Sequence, residues 1–212
     1  MPRYSTRSWR AFRPDAVMPR IADAAPVARP APGGLDVAAL SGAVRVRVLG
    51  LDPGSRRTGF GIIDCIGAGA HCVRSGCIDV AALPVAARLR RIHVELRELV
   101  ESLRPDVVAV ERVFVSRNID SALKLGQARG AALAALEPGT PLHEYAPRAV
   151  KLAVVGTGAA DKRQVAHMIG RILELPDLPG GDAADALAIA LCHAHHRRVA
   201  MLTGVALAAD ST

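Results

Sequence analysis

From residue 46 onward, hydrophobic and polar residues are grouped in a pattern that predicts a mixed α/β domain. Short apolar or alternating runs predict strands over about residues 46–51, 60–64, 71–80, 106–111 and 142–145. Apolar residues at helical spacing predict helices over about 84–103, 119–136, 147–154, 161–173 and 182–196. Three strands in succession, followed by alternating helices and strands, predict a mixed five-stranded sheet flanked by helices.

The first 45 residues lack this periodicity. They are rich in Arg, Pro, Ala and Gly, which predicts a disordered N-terminal extension over residues 1–45. Val46, where the periodic pattern begins, could be a misread GUG start codon, and the extension would then be an artefact of start-site assignment. We therefore expect one folded domain over residues 46–197 and a short C-terminal tail over 198–212.

Composition narrows the class of protein only a little. Half of the 212 residues are hydrophobic, which is enough for one domain with a sizeable core. No apolar run approaches the roughly 18 residues that span a bilayer, so we expect no membrane partner. The four cysteines form no CxxC pair, which is typical of reduced thiols and predicts a cytoplasmic protein.

The formal charge of +7 is weak evidence for a nucleic-acid partner. Residues 1–45 hold seven Arg and three Asp, a net charge of +4, so the rest of the chain carries only +3. The positions of the charged residues, and not their sum, must therefore indicate the partner.

Four carboxylates stand where the apolar patterns begin or end. Asp52 follows the first predicted strand, Glu111 ends the fourth, and Asp182 and Asp185 lie three residues apart on one face of the last helix. Clustered carboxylates repel one another, and hard divalent cations such as Mg²⁺ relieve that repulsion. Two such ions about 4 Å apart can clamp the attacking water and the leaving oxygen of a phosphodiester. Each acid alone fits a turn, a strand end or a helix cap, so the prediction depends on the ordered set.

The motifs around these acids resemble those of the RuvC family of Holliday junction resolvases. The matching segments are LGLDPGS at 49–55, TGFG at 58–61, VERVF at 110–114, DSALKLGQARG at 120–130 and DAADALA at 182–188. The resemblance runs from about residue 46 to 196. It implies an RNase H-like fold and a homodimer that makes paired symmetric nicks in four-way DNA junctions during recombination and repair. It also implies 5′-phosphate and 3′-hydroxyl product ends, and RuvA and RuvB branch-migration proteins as partners.

The resemblance also assigns roles to residues of this chain. Asp52, Glu111, Asp182 and Asp185 are implied as the catalytic, metal-binding acids, with two Mg²⁺ ions per site and Mn²⁺ as a substitute. Phe114 is implied to stack on unpaired bases at the junction centre, although a core position would also suit it. Lysines and other polar residues are implied as DNA contacts, although solvated surface positions would also suit them; these are Lys151, Lys162, Arg117, Asn118, Lys124, Arg148 and Arg163.

Two further features have alternative interpretations. Gly126 and Gly130 give the second helix a small-residue face that suits either packing on the sheet or, by the resemblance, the dimer interface. His193, His195 and His196 are interpreted as surface residues, because the metal site already has oxygen ligands.

Three rival functions are weighed against junction resolution. Another RNase H-like nuclease, acting on RNA–DNA hybrid or linear duplex, would share the fold. A noncatalytic junction-binding protein is disfavoured because all four acids are present. An actin-like ATP-binding protein is disfavoured because the chain is short and has no second phosphate-binding loop.

Overall fold

A computed structural model describes residues 44–112, 118–205 and 207 of the chain. Five strands within these residues form one sheet in the order β3-β2-β1-β4-β5. They are β1 (Val46–Asp52), β2 (Arg57–Ile66), β3 (Gly69–Asp79), β4 (Val107–Glu111) and β5 (Leu142–Tyr145). The first three pair in antiparallel fashion, whereas β1, β4 and β5 are parallel to one another. The predicted mixed five-stranded sheet is confirmed.

Helices cover both faces of this sheet. They are α1 (Val85–Leu103), α2 (Ile119–Leu133), α3 (Pro147–Val155), α4 (Lys162–Ile172) and α5 (Gly181–Thr203). One buried cluster joins the sheet to α1 and α2, and a second joins it to α3, α4 and α5. None of the helices in the described part of the chain is long and apolar enough to cross a membrane.

Strand alternation decides which core each strand residue enters. In β1, Val48 packs with α3, α4 and α5, whereas Leu49 and Leu51 pack on the face covered by α1 and α2. In β4, Ala109 and Val110 divide between the two faces in the same way. The next residue of each strand is an acid, and alternation directs it towards the α5 side.

The last helix continues past its predicted end at residue 196 to Thr203, so it crosses the predicted boundary at 197. The physical reason is that residues 197–203 contain no helix breaker. The helix ends at Gly204, whose φ of 69° is a left-handed conformation that glycine adopts without strain. Residues 1–43 of the predicted extension lie outside the described residues.

Candidate active site

Parallel pairing of β1 and β4 brings two of the four acids together. Leu51 is aligned with Val110, so Asp52 and Glu111 are the next residues along adjacent strands. Both strands end at this edge of the sheet, and both carboxylates are partly buried there. The pairing of the first strand with the fourth therefore places these two acids side by side.

Three strand glycines allow α5 to lie unusually close to the same part of the sheet. A Cβ atom at Gly59 would lie 2.0 Å from the Asp182 carbonyl oxygen, and one at Gly50 would lie 2.1 Å from that of Ala186. At Gly61, an added Cβ would meet Leu187 at 2.8 Å. Any other residue would therefore push α5 away. The glycines bring the first turns of α5, with both of its acids, next to the ends of β1 and β4.

The charges of neighbouring acids perturb the two carboxyls at the strand ends. Burial raises the pKa of Asp52 to about 6, and the charges of Glu111, Asp185 and Asp182 add to the effect. Burial, followed by the charge of Asp185, also raises the pKa of Glu111. The fold thus concentrates negative charge in a partly desolvated place, which favours cation binding.

Two lysines lie beside these acids. The Lys162 ammonium, on the first residue of α4, donates a hydrogen bond to Asp185 at 2.7 Å. This bond raises the pKa of Lys162, and the side chain remains 81% exposed. The charge of Lys151, on α3, lowers the pKa of Glu111 and so opposes the effect of burial. Both predicted lysines are therefore near the predicted acids.

The donor set suits a hard cation, because carboxylate oxygens are the ligands that Mg²⁺ prefers. Within the described residues, however, no three His, Cys, Asp or Glu side chains are arranged to hold one metal ion. Lys162 meets Asp185 with an ammonium group, and Arg57 lies 3.8 Å from the Asp182 carboxylate. The chemistry of the donors fits Mg²⁺, and a bound ion would compete with these two cations for the carboxylate oxygens.

Two residues near the site were missed by the sequence analysis. Arg57 pairs with Asp79 at 3.0 Å as well as approaching Asp182. The Cys77 thiol lies 3.6 Å from Asp182, and burial together with that carboxylate raises its pKa to about 12, so it remains a neutral thiol. The register of the β2–β3 hairpin is the signal that links them to the site. Arg57 lies opposite Asp79 and Gly59 lies opposite Cys77, and Gly59 lies against Asp182 of α5.

The other predicted DNA contacts that the structure describes lie on or beside α2, α3 and α4. Asn118 caps α2 by accepting a hydrogen bond from the Ser121 amide, and Lys124 pairs with Asp120 at 2.5 Å. Arg148 and Arg163 are exposed on α3 and α4. Phe114 and Arg117 lie outside the described residues.

The interpretation of the three histidines as surface residues was wrong for His193. Its side chain is 2% exposed, and its Nδ1 lies 2.8 Å from the Tyr145 hydroxyl. Burial lowers the pKa of His193 to about 4, so the ring is neutral. The physical reason is its position on the inner side of α5, facing β5, far from the four acids along the helix. No described contact makes it a site residue.

Comparison with known families gives one match over most of the chain. The family model described as "Crossover junction endodeoxyribonuclease RuvC" matches residues 48–193, which include all four acids. A protein of that name from Photobacterium profundum is 49% identical over 164 residues, covering 76% of this chain and 95% of the relative. Another, from Vibrio cholerae, is 49% identical over 166 residues and covers 78% and 94% of the two chains.

Solved structures agree with these matches. The chain is similar to Thermus thermophilus RuvC in complex with a Holliday junction substrate, with a TM-score of 0.68 and 39% identity over 76% of this chain and 97% of that one. A yeast mitochondrial Holliday junction resolvase gives a TM-score of 0.52 at 13% identity, covering 75% of this chain and 86% of that one. At that identity the likeness concerns the fold alone.

Proposed function

Because this chain belongs to the RuvC family of crossover junction endodeoxyribonucleases, we propose that Asp52, Glu111, Asp182 and Asp185 hold the divalent cations with which it cuts DNA. The chain is a Holliday junction resolvase, a nuclease of recombination and repair. We further propose that it makes paired symmetric nicks in four-way junctions and leaves 5′-phosphate and 3′-hydroxyl ends.

The observation that carries the metal proposal is the raised pKa of Asp52 and of Glu111, caused by burial and by the charges of neighbouring acids. A carboxyl whose pKa is raised to about 6 by burial and by its neighbours' charges is a poor isolated anion and a good cation ligand. Two Mg²⁺ ions, or Mn²⁺ in their place, would supply the positive charge that activates water and stabilises the leaving oxygen of the phosphodiester. The role of the four acids is to bind and orient; none is singled out as a general base.

The lysines support binding of a polyanion beside an acidic site. Lys162 already donates to Asp185, and its high exposure leaves it accessible to a phosphate group. Lys151 reaches Glu111 electrostatically from the neighbouring helix. We propose that both lysines offset the repulsion between the DNA backbone and the carboxylates. Arg148 and Arg163, on the same two helices, and Lys124 and Asn118 on α2 are proposed as outer backbone contacts.

The residues that follow Glu111 are proposed to meet the junction centre. Phe114 is three residues beyond Glu111 in the sequence, and Arg117 is six beyond it. An aromatic ring so close to a cutting site can stack on bases that are unpaired at a branch point. Arg117 is proposed to contact the backbone beside them.

A homodimer is proposed through the outward face of α2. A Cβ atom added at Gly126 or Gly130 would meet nothing within 4 Å, whereas Ala128 and Ala132 of the same helix are buried against the sheet. The glycine face is therefore open, and Ile119 and Leu123 on the same helix are 76% and 63% exposed. Such a surface suits a self-complementary contact, whose two-fold symmetry would match paired nicks.

The cellular setting is proposed from the substrate. Junctions made by recombination lie on chromosomal DNA, which in a bacterium is in the cytoplasm. RuvA and RuvB branch-migration proteins are proposed partners there, as the family resemblance implies.

The substrate proposal is tested with end-labelled DNA in Mg²⁺. We expect rapid nicking of a synthetic four-way junction and at least about tenfold slower cutting of linear duplex and RNA–DNA hybrid of the same sequence. DNA ligase should reseal the nicks, because it joins a 5′-phosphate to a 3′-hydroxyl. Equal cutting of all three substrates, or nicks that ligase cannot seal, would contradict the proposal.

A further inference from the structure

Arg129 on α2 connects two strand ends beside the acids without touching an acid side chain of the site. Its guanidinium donates a hydrogen bond to the backbone carbonyl of Glu111 at 2.7 Å and another to the carboxylate of Glu144. Glu144 belongs to β5 and is aligned with Val110 of β4. The arginine side chain is only 13% exposed, so these contacts are made in a largely desolvated place.

The guanidinium lies on the opposite side of the sheet from the four carboxylates. Val110 packs in the core of α1 and α2, so Glu111, one residue later, directs its side chain towards α5. Arg129 approaches from α2, on the other face of the sheet, and bonds to the backbone carbonyl of Glu111. It cannot ligate a metal ion or donate to a phosphate bound on the α5 side, and any effect on the site must pass through Glu111.

Arginine suits this position for a specific reason. Its planar group offers several donors in a fixed geometry, so it can bind a carbonyl and a carboxylate at once, whereas a lysine ammonium binds them as a point charge. A buried charge of this kind persists only when it is paired, and Glu144 provides the pairing. Two contacts of Arg112 hold the same strand ends together. Its Nε lies 3.6 Å from the other Glu144 oxygen, and its backbone amide donates a hydrogen bond to the Tyr145 carbonyl.

We propose that Arg129 is a positioning residue, which fixes the end of β4 so that the Glu111 carboxylate stays aligned with Asp52 and the two acids of α5. The inference rests on the proposed metal-binding role of Glu111. Partners that orient a metal ligand from outside the first coordination shell commonly affect metal affinity or activity by about 10- to 100-fold.

The test compares Arg129→Gln and Arg129→Lys with a matched control, Arg97→Gln. Arg97 also bridges two acids, Glu101 and Glu137, but unlike Arg129 it is not bonded to the Glu111 carbonyl. Mn²⁺ binding to the DNA-free protein is measured by calorimetry, the half-saturating Mg²⁺ concentration by junction nicking, and the melting temperature separately. Junction affinity is measured in Ca²⁺.

Arg129→Gln should weaken Mn²⁺ binding and raise the half-saturating Mg²⁺ concentration by about tenfold or more, with junction affinity changed less than threefold. Arg129→Lys should recover part of the loss, because it can still make one of the two bonds. Arg97→Gln should leave both metal measurements within twofold of wild type. If Arg129→Gln does not fold, Arg129→Lys and Glu144→Gln carry the same test, since each removes only part of the bridge.

Metal binding in these variants equal to wild type, even with a lowered melting temperature, would overturn the inference and leave a purely structural role. An equal metal effect in Arg97→Gln would overturn it as well. These outcomes differ from failure of the proposed function, in which the wild-type protein itself would bind no Mn²⁺ and nick no junction, and the inference would fall with it.

Discussion

Replacing Asp52 by Asn should stabilise the metal-free protein at neutral and alkaline pH. In the folded chain the pKa of Asp52 is raised from 3.8 to about 6, first by burial and then by the charges of Glu111 and Asp185. Above pH 6 the folded protein must therefore hold an ionised carboxylate, which has a higher free energy there than in the unfolded chain. A shift of about two pKa units corresponds to about 3 kcal/mol of lost stability.

The sign and the pH range follow from the two pKa values. Well below pH 3.8 the carboxyl is protonated in both states and imposes no penalty. As the pH rises from 3.8 to 6, the unfolded chain loses its proton first, so wild-type stability falls. The advantage of Asp52→Asn should be about 0.5 kcal/mol at pH 4, about 1.5 kcal/mol at pH 5 and about 3 kcal/mol at pH 8.

The assay is urea unfolding and thermal unfolding of both proteins at pH 5 and pH 8, in EDTA and in Mg²⁺. In EDTA at pH 8 we expect the variant to be more stable, with a melting temperature higher by up to about 6–12 °C. Added Mg²⁺ should stabilise wild type more than the variant and close the gap, because the ion binds the intact acids. A variant that is less stable than wild type in EDTA, or an advantage that does not depend on pH, would show that ionised Asp52 does not destabilise the metal-free fold.

Three further substitutions test other parts of the account. Gly59→Ala should cost about 1–3 kcal/mol of stability and slow nicking, because its Cβ would meet the Asp182 carbonyl oxygen. Gly69→Ala is the control, because its Cβ would have no contact closer than 3.6 Å. Equal effects of the two substitutions would show that the close approach of α5 does not depend on Gly59. Lys162→Met should weaken junction binding in Ca²⁺ and reduce the salt slope by about one, and an unchanged slope would remove it from the phosphate contacts. Gly130→Leu should give a monomer in light scattering, and a stable dimer would place the interface elsewhere.

The sequence predicted the part of the site that depends on strand order. Asp52 and Glu111 each follow an apolar strand, and the pairing of β1 with β4 was the single assumption needed to bring them together. Helical spacing placed Asp182 and Asp185 on one face. Local patterns were sufficient here because each acid is positioned by the element that contains it.

The rest of the site depends on contacts between elements distant in sequence. No local sequence pattern shows that Gly59 faces the Asp182 carbonyl, or that Arg129 of α2 bonds to the Glu111 backbone. His193 is different, because it follows Ala186 and Ala190 at helical spacing on the buried side of α5. That periodicity could have identified it as a core residue, had its neighbours Arg197 and Arg198 not suggested a surface.

Nicking of a synthetic four-way junction by wild type and by Asp52→Asn tests whether the four carboxylates form the metal-dependent active site of a junction resolvase. Wild type should nick opposed strands only when Mg²⁺ is present. Asp52→Asn should bind the junction in Ca²⁺ within a few-fold of wild type yet nick it more than about 100-fold more slowly, since even partners outside the ligand shell are worth 10- to 100-fold. Nicking by Asp52→Asn at the wild-type rate, or by wild type in EDTA, would contradict the account.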